Sequence, residues 1–269
     1  MIPGSFDYVV ANSVPEAIAL LGQHGDEAKI LAGGHSLIPL LRFRLASPSV
    51  LIDINRIKDL EYIQETDNVL HIGALTREAE LDSSPLIRSR YPILLDTAAG
   101  VADPVVRNWA TVGGNIAHAD PANDHPATML ALGASVVAVG PAGKREIPIT
   151  EFFTDSTFGT TLRPNEILTE IRVPAPTERS GGAYFKLERK VGDYAIVGVA
   201  AYVTLDEQNA VTYAGIGLTN VGPYPIKARD PEQALQGKPL DDATIHQAAE
   251  LAAAASQPIS DTRGPAEYK

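Results

Sequence analysis

The sequence contains no cysteine at all. That single absence excludes a disulfide framework, a thiolate zinc site, a cysteine-ligated iron–sulfur cluster and a cysteine nucleophile. Positive charge is also in short supply, with 22 Lys+Arg against 33 Asp+Glu and a formal net charge of −11. An acidic excess of this kind argues against a broad phosphate-backbone footprint, so nucleic acid is not expected as a partner. Nowhere does an apolar run reach the roughly 18 residues of a membrane span. The opening Met1-Ile-Pro-Gly-Ser-Phe-Asp-Tyr8 lacks the charged and apolar regions of a secretory signal, so a cytoplasmic protein is expected. Internal repeats, heptads and low-complexity tracts are missing too. What remains is an ordinary globular composition, 45% hydrophobic and 20% charged, over 269 residues: one large or two modest domains.

Local patterns place the elements. Ser13-Val-Pro-Glu16 has capping-box spacing and opens a short helix whose apolar face carries Ala17, Leu20 and Leu21. Residues 29–32, 50–54 and 69–73 read as strands, and 76–99 as helical pieces broken at Pro85 and Pro92. A helix is expected over 126–132, with Asp124 as its cap, and then a hairpin from 135–139 and 145–149 around Gly-Pro-Ala-Gly. From about residue 166 the texture changes. The segments 167–173, 183–188, 197–205 and 211–218 read as an antiparallel meander, followed by helices over 230–235 and 242–255. Pro174, Pro176, Gly181 and Gly182 mark a domain boundary near 174–181, where mixed α/β gives way to strands and then helices.

Two glycine segments stand out. Ala32-Gly33-Gly34-His35-Ser36 follows a strand directly, and Thr111-Val112-Gly113-Gly114-Asn115 repeats the recipe. Paired glycines remove Cβ atoms and allow positive φ, so consecutive N–H groups can converge on one anion. Each pair is bracketed by hydrogen-bonding side chains, which suggests two sides of a diphosphate clamp; two unrelated turns are the alternative. The common nucleotide motifs do not account for them. Gly215-Ile-Gly217-Leu-Thr-Asn220 starts like the dinucleotide fingerprint but ends on Asn inside a strand pattern. Neither Gly143-Lys144 nor Gly237-Lys238 completes a P-loop, and Gly34–Ile38 fails the nucleophile elbow at its last position. His118, Asp120, Asp124 and His125 crowd together, but Pro121 and Pro126 interrupt them, and loop hydrogen bonding is the expected use rather than a metal site. His35 is read as part of a phosphate loop rather than a general base, and Trp109 as a packing residue.

Together, Ala32-Gly-Gly-His-Ser-Leu-Ile-Pro39, Asp103-Pro-Val-Val-Arg-Asn-Trp-Ala-Thr-Val-Gly-Gly-Asn115, Lys190-Val-Gly-Asp-Tyr-Ala195 and Asp261-Thr-Arg-Gly-Pro-Ala-Glu-Tyr268 resemble a family. It is that of the FAD-binding medium subunits of molybdenum hydroxylases, of the aerobic carbon monoxide dehydrogenase type within the xanthine dehydrogenase family. The resemblance spans essentially the whole chain. It implies an α+β fold, a vanillyl-alcohol-oxidase (PCMH) type FAD-binding domain over 1–176, with subdomains of about 1–56 and 57–176. A C-terminal domain over 177–269, with a three-stranded antiparallel sheet and helices, is expected to follow and to lack the last short helix with which members continue.

The resemblance also implies site residues. Ala32, Gly33, Gly34, His35 and Ser36, with Thr111, Val112, Gly113, Gly114 and Asn115, would contact the FAD diphosphate and ribityl region, and Ala102 would join the cofactor contacts. Asp124 would accept from the adenosine ribose and Leu168 would offer its backbone near the adenine. Lys186 would approach the polar edge of the flavin and serve as its neighbouring cation. Asp193 and Tyr194 would lie at the isoalloxazine, with the Tyr194 ring over one face. No catalytic side chain and no metal ligand is expected on this chain. Substrate would be oxidised at a molybdenum cofactor on a large subunit. Electrons would then cross the 2Fe-2S clusters of a small subunit to this FAD and leave for an external acceptor. The implied assembly is a dimer of heterotrimers, cytoplasmic or peripheral to the inner face of the cell membrane. A hydroxylase for aldehydes or N-heterocycles, a stand-alone flavin oxidoreductase of the same fold, and a non-catalytic binding module are the alternatives.

Overall fold

The computed structural model describes residues 2–269. The chain opens with β1 (Asp7–Val10), α1 (Val14–His24), β2 (Ala28–Leu31), α2 (Leu37–Phe43) and β3 (Val50–Asp53). Ser13 caps α1 as its spacing predicts, accepting from the Glu16 amide at 3.3 Å, while the Glu16 carboxylate accepts from the Asn12 amide. The three strands form a parallel sheet in the order β1-β3-β2. Its apolar side, with Ala17, Leu21, Val50, Ile52 and Ile54, makes a small separate core. The strand β1 carries no clear alternation and was not legible in the sequence.

A second, five-stranded sheet follows, built from β4 (Ile63–Thr66), β5 (Val69–Gly73), β6 (Ser135–Gly140), β7 (Gly143–Pro148) and β8 (Ile167–Pro174) in the order β4-β5-β8-β6-β7. Between β5 and β6 run α3 (Glu78–Ser83), α4 (Pro85–Arg90), α5 (Pro92–Gly100), α6 (Pro104–Arg107), α7 (Val112–His118) and α8 (Asp124–Leu132); α9 (Ile149–Phe152) follows β7. Pro85, Pro92 and Pro104 each open a new helix, where a missing N–H costs nothing.

The last part holds β9 (Ser180–Leu187), β10 (Val197–Leu205), β11 (Val211–Thr219) and the two-residue β12 (Ile226–Lys227), an antiparallel sheet ordered β12-β11-β10-β9, then α10 (Arg229–Leu235) and α11 (Asp242–Ala255). Asp241 caps α11, accepting from the Thr244 amide at 2.8 Å.

One expectation about topology is corrected. The segment 167–173 is a strand, but it does not begin the meander: β8 pairs with β5 and β6, at the centre of the five-stranded sheet. Alternation identifies a strand without naming its neighbours: Ile167, Leu168, Thr169, Ile171 and Val173 are buried while Glu170 and Arg172 are only partly so, a pattern that suits either sheet.

The helix α8 joins the two large sheets. All nine of its residues are buried. On one side it meets the β-sheet core with Ala127, Met129 and Leu130; on the other it lies on β11. That contact explains Gly215 and Gly217: a Cβ at either would stand 1.8 or 2.0 Å from the carbonyl oxygens of Ala131 and Ala127. The glycines that imitate a dinucleotide fingerprint are there so that a sheet can touch a helix backbone. Tyr184 and Ala200 of the last sheet belong to the same buried cluster as the five-stranded sheet, so the two cores are continuous.

Candidate functional site

A cleft of about 940 Å³ runs along the carboxyl end of β2, the starts of α2, α7 and α8, and the loop between β9 and β10. Its walls include Ala32, Gly33, Gly34, His35, Ser36, Ala102, Thr111, Gly114, Asn115, Asp124, Lys186, Asp193 and Tyr194. Three expected site residues, Val112, Gly113 and Leu168, are not on its wall; Val112 and Leu168 are core residues.

The first glycine segment is an open turn. Leaving β2, the chain passes so close to the loop before α7 that a Cβ on Gly33 would lie 2.3 Å from the Trp109 carbonyl oxygen. Gly34 then adopts φ +78°, a left-handed conformation that admits glycine without strain, and α2 starts three residues later. The carbonyls of Gly34 and Ser36 are used by the Ile38 and Leu40 amides, at 2.8 and 3.2 Å. Among the described residues no protein acceptor pairs with the backbone N–H of Gly33, Gly34, His35 or Ser36, nor does the Ser36 hydroxyl cap the helix. All four residues line the cleft, so four successive amides and a hydroxyl are left available to a ligand there. The His35 side chain is exposed at its mouth.

The second segment is not a loop. Thr111 is the cap of α7, so Val112–Asn115 are its first turn. Its amides are spoken for: Val112 donates to the Thr76 carbonyl and Gly113 to that of Ala74, both at 3.0 Å, Gly114 to the Thr111 hydroxyl at 3.2 Å and Asn115 to the Thr111 carbonyl at 3.0 Å. A Cβ on Gly113 would stand 2.6 Å from the Ala74 backbone, so this glycine lets helix and sheet meet. What the segment shows the cleft is the Gly114 surface and Asn115, whose buried Oδ1 has no hydrogen-bond partner.

The other polar part of the cleft lies where the two cores meet. Lys186 on β9 donates to the Gly100 carbonyl at 2.8 Å and to Asp124 Oδ2 at 3.1 Å, and Tyr184, two residues earlier on the same strand face, donates to Asp124 Oδ1 at 2.5 Å. Burial pushes the Asp124 carboxyl above its ordinary range against the pull of Lys186 and Tyr184. Asp124 is not the cap of α8, a position Asn123 holds without a capping side-chain hydrogen bond; it is the first helical residue, its carboxylate bonded to β9. Ala102, with φ +48°, is gripped by Arg107, which donates to its carbonyl at 3.2 Å, and Gly192 in the β9–β10 loop rests against the same carbonyl. That loop presents Asp193 and Tyr194. Arg189 donates to Asp193 at 3.1 Å, Asp193 accepts from the Tyr194 amide at 3.0 Å, and Arg263 from the chain's last turn stacks its guanidinium 5.0 Å from the Tyr194 ring centre.

These positions change two expectations. An extended dinucleotide separates its adenosine ribose from its flavin by the whole diphosphate and ribityl chain. Asp124 and Lys186 are an ion pair at 3.1 Å, so the two side chains expected at opposite ends of such a molecule are direct neighbours. Leu168 sits in the core strand β8, paired with Ala138 rather than facing the cleft. Trp109 differs too: expected to pack, it is 58% exposed, with the Arg77 guanidinium 5.6 Å from its ring. The crowded histidines are separated by the fold. His125 is fully buried against Glu78 at 2.7 Å, whereas His118 lines the cleft with its ring 5.1 Å from that of Phe158. Among the described residues no group of three or more His, Asp or Glu is placed to hold a metal ion. Tyr184 and the Gly100 carbonyl were missed in the sequence; strand alternation from Lys186 was the signal for the first, and nothing signalled the second.

The lining is equipped to bind: amide donors for an anion, acceptors at the Asp124 end, an aromatic ring, and an unpaired buried amide oxygen. It fits a dinucleotide with a charged middle and a planar ring system. Comparisons with known proteins agree. The model of the FAD binding domain in molybdopterin dehydrogenase matches residues 4–176, and that of the CO dehydrogenase flavoprotein C-terminal domain matches 182–269. The carbon monoxide dehydrogenase medium chain of Hydrogenophaga pseudoflava is 46% identical over all of this chain and 93% of its own length. Subunit alpha of the 6-hydroxypseudooxynicotine dehydrogenase complex of Paenarthrobacter nicotinovorans is 44% identical over all of this chain and 90% of its own. A solved structure of the Hydrogenophaga pseudoflava enzyme lacking the Mo-pyranopterin moiety of its cofactor superimposes with a TM-score of 0.96 at 47% identity, covering 100% of this chain and 93% of that one.

Proposed function

This chain belongs to the FAD-binding medium subunits of the carbon monoxide dehydrogenase/xanthine dehydrogenase family of molybdenum hydroxylases, and from that premise we propose how it works within its complex. It seats one FAD along the cleft, receives electrons from the 2Fe-2S clusters of a small partner subunit, and delivers them to an external acceptor. A large subunit holds the molybdenum cofactor and the substrate, and the whole is a dimer of heterotrimers. The lead complex is an aerobic carbon monoxide dehydrogenase.

The observation that carries this reading is the run of four unpaired amides from Gly33 to Ser36, which suits the FAD diphosphate. Thr111 and Asn115 border the middle of the cofactor, and Ala102, Asp124, Lys186, Asp193 and Tyr194 surround one end of it. Val112, Gly113 and Leu168 support that wall from behind. Bound FAD supplies the ability to exchange electrons singly on one side and in pairs on the other. The chain's residues bind it, orient it and set the charge around it; because Lys186 is paired with Asp124, the local field there is that of a neutral pair rather than a free cation. The domains are 1–176 and 177–269, with the first divided near residue 56.

The test is anaerobic reduction of the purified heterotrimeric complex. With carbon monoxide as substrate, we expect one FAD per medium chain and bleaching of its absorbance after that of the iron–sulfur clusters. A complex that turns over while carrying no flavin contradicts the reading. The similarity to a chain named for 6-hydroxypseudooxynicotine supports a second substrate class, N-heterocycles. Reduction by such a compound and not by carbon monoxide would replace the substrate and leave the flavin role intact.

A further inference from the structure

The hydroxyl of Tyr184 is off the cleft wall, yet it meets a group that is on it. The side chain is buried in the common core, 7% exposed, and its hydroxyl donates to Asp124 Oδ1 at 2.5 Å. Lys186 holds the other carboxylate oxygen at 3.1 Å. The fold makes room for that hydroxyl: a Cβ on Gly198, its neighbour on β10, would lie 2.4 Å from it. Thr219 on β11, the strand partner of Gly198, stands 3.4 Å from the hydroxyl. The same Cβ would lie 3.0 Å from the ring carbon that carries the hydroxyl, so the glycine lets β10 approach the ring and its hydroxyl together.

We propose that Tyr184 is a positioning residue for the cofactor site, holding the Asp124 carboxylate from behind so that it stays ionised, paired with Lys186 and directed at the FAD. The proposal rests on the placement of FAD in this cleft. Asp124 is nearly enclosed, and an enclosed carboxylate survives as an anion only while donors surround it. It has two such donors, one on each oxygen, and both come from β9. The remaining charged groups facing it are few. Glu188 on β9 lies 3.6 Å from Lys186 and works against ionisation, and His125, next on α8, is occupied by Glu78 of α3. From α5 only the Gly100 carbonyl arrives, bound to Lys186, and from the β9–β10 loop comes Tyr194, itself uncharged at neutral pH. Removing the Tyr184 donor leaves the anion to Lys186 and the neighbouring His125, so Asp124 takes up a proton at a higher pH. A change in charge beside the flavin is read directly as a change in its midpoint potential.

The experiment is a spectroelectrochemical titration of the flavin in the heterotrimeric complex as a function of pH, for wild type and Tyr184→Phe. We expect full FAD content in both, and an inflection in potential against pH that moves upward by about one pH unit in the variant. Gly198→Ala, which crowds the hydroxyl without removing it, moves the inflection the same way. In an Asp124→Asn background the Tyr184→Phe change has no further effect, because the group it acts through is gone. Superimposable curves for wild type and Tyr184→Phe overturn the proposal, as does an equal shift in the Asp124→Asn background, or loss of FAD from Tyr184→Phe alone, since retention belongs to Gly33–Ser36. A wild-type complex without FAD would instead overturn the proposed function.

Discussion

The two glycine segments look alike on paper and do opposite work. Gly33–Ser36 leaves its amides unpaired at the cleft, while Val112–Asn115 consumes its own within the protein. In the first, Gly34 supplies a left-handed turn; in the second, Gly113 supplies thinness where α7 meets Ala74. One is a cradle and the other is the frame that holds the cradle's opposite wall. The lesson is that a glycine pair flanked by hydroxyl and amide side chains announces close backbone approach, without saying whether a ligand or another part of the chain is what approaches.

Substitutions can break this contrast in order of expected damage. Gly113→Val drives a branched side chain into the Ala74 backbone, and stability should fall by roughly 3 kcal/mol or more, seen as a large drop in the thermal midpoint. A normal midpoint would mean that the frame is softer than its contacts indicate. Gly34→Val places a branched residue at φ +78°, at a cost of about 1–2 kcal/mol, and its new Cβ meets only side-chain atoms of Ile38 and Leu31. The fold should survive while FAD affinity in the complex drops at least about tenfold by the loss of aligned amides. Undiminished FAD affinity would take the cradle away from this segment. Thr111→Val deletes the cap of α7 and should cost about 1 kcal/mol in stability with FAD retained. If flavin were lost instead, Thr111 would belong to the cradle and the contrast would blur.

Much of this molecule was readable beforehand, for identifiable reasons. Prolines 85 and 92 divided one helical stretch where they had to, and the Ser13 cap fell where its spacing places it. The segments of the cleft were legible because their glycines and polar flanks are local. Less legible was anything decided by a distant partner. The neighbours of β8 depend on a sheet closed by β5 and β6, not on its own pattern. That Thr111 begins a helix was hidden because two glycines disfavour one, and tertiary contacts with Thr76 and Ala74 supply what propensity withholds. Asp124 and Lys186 lie 62 residues apart, so no sequence spacing could join them in one ion pair.

Hydrogen–deuterium exchange of the deflavo and FAD-loaded complex, read by mass spectrometry on peptides spanning each segment, puts the central contrast to the test. Amides of Gly33–Ser36 should exchange fast without FAD and slow markedly when it binds, while those of Gly113–Asn115 should be protected in both states. Protection on FAD binding that appears at Gly113–Asn115 and not at Gly33–Ser36 would contradict the account.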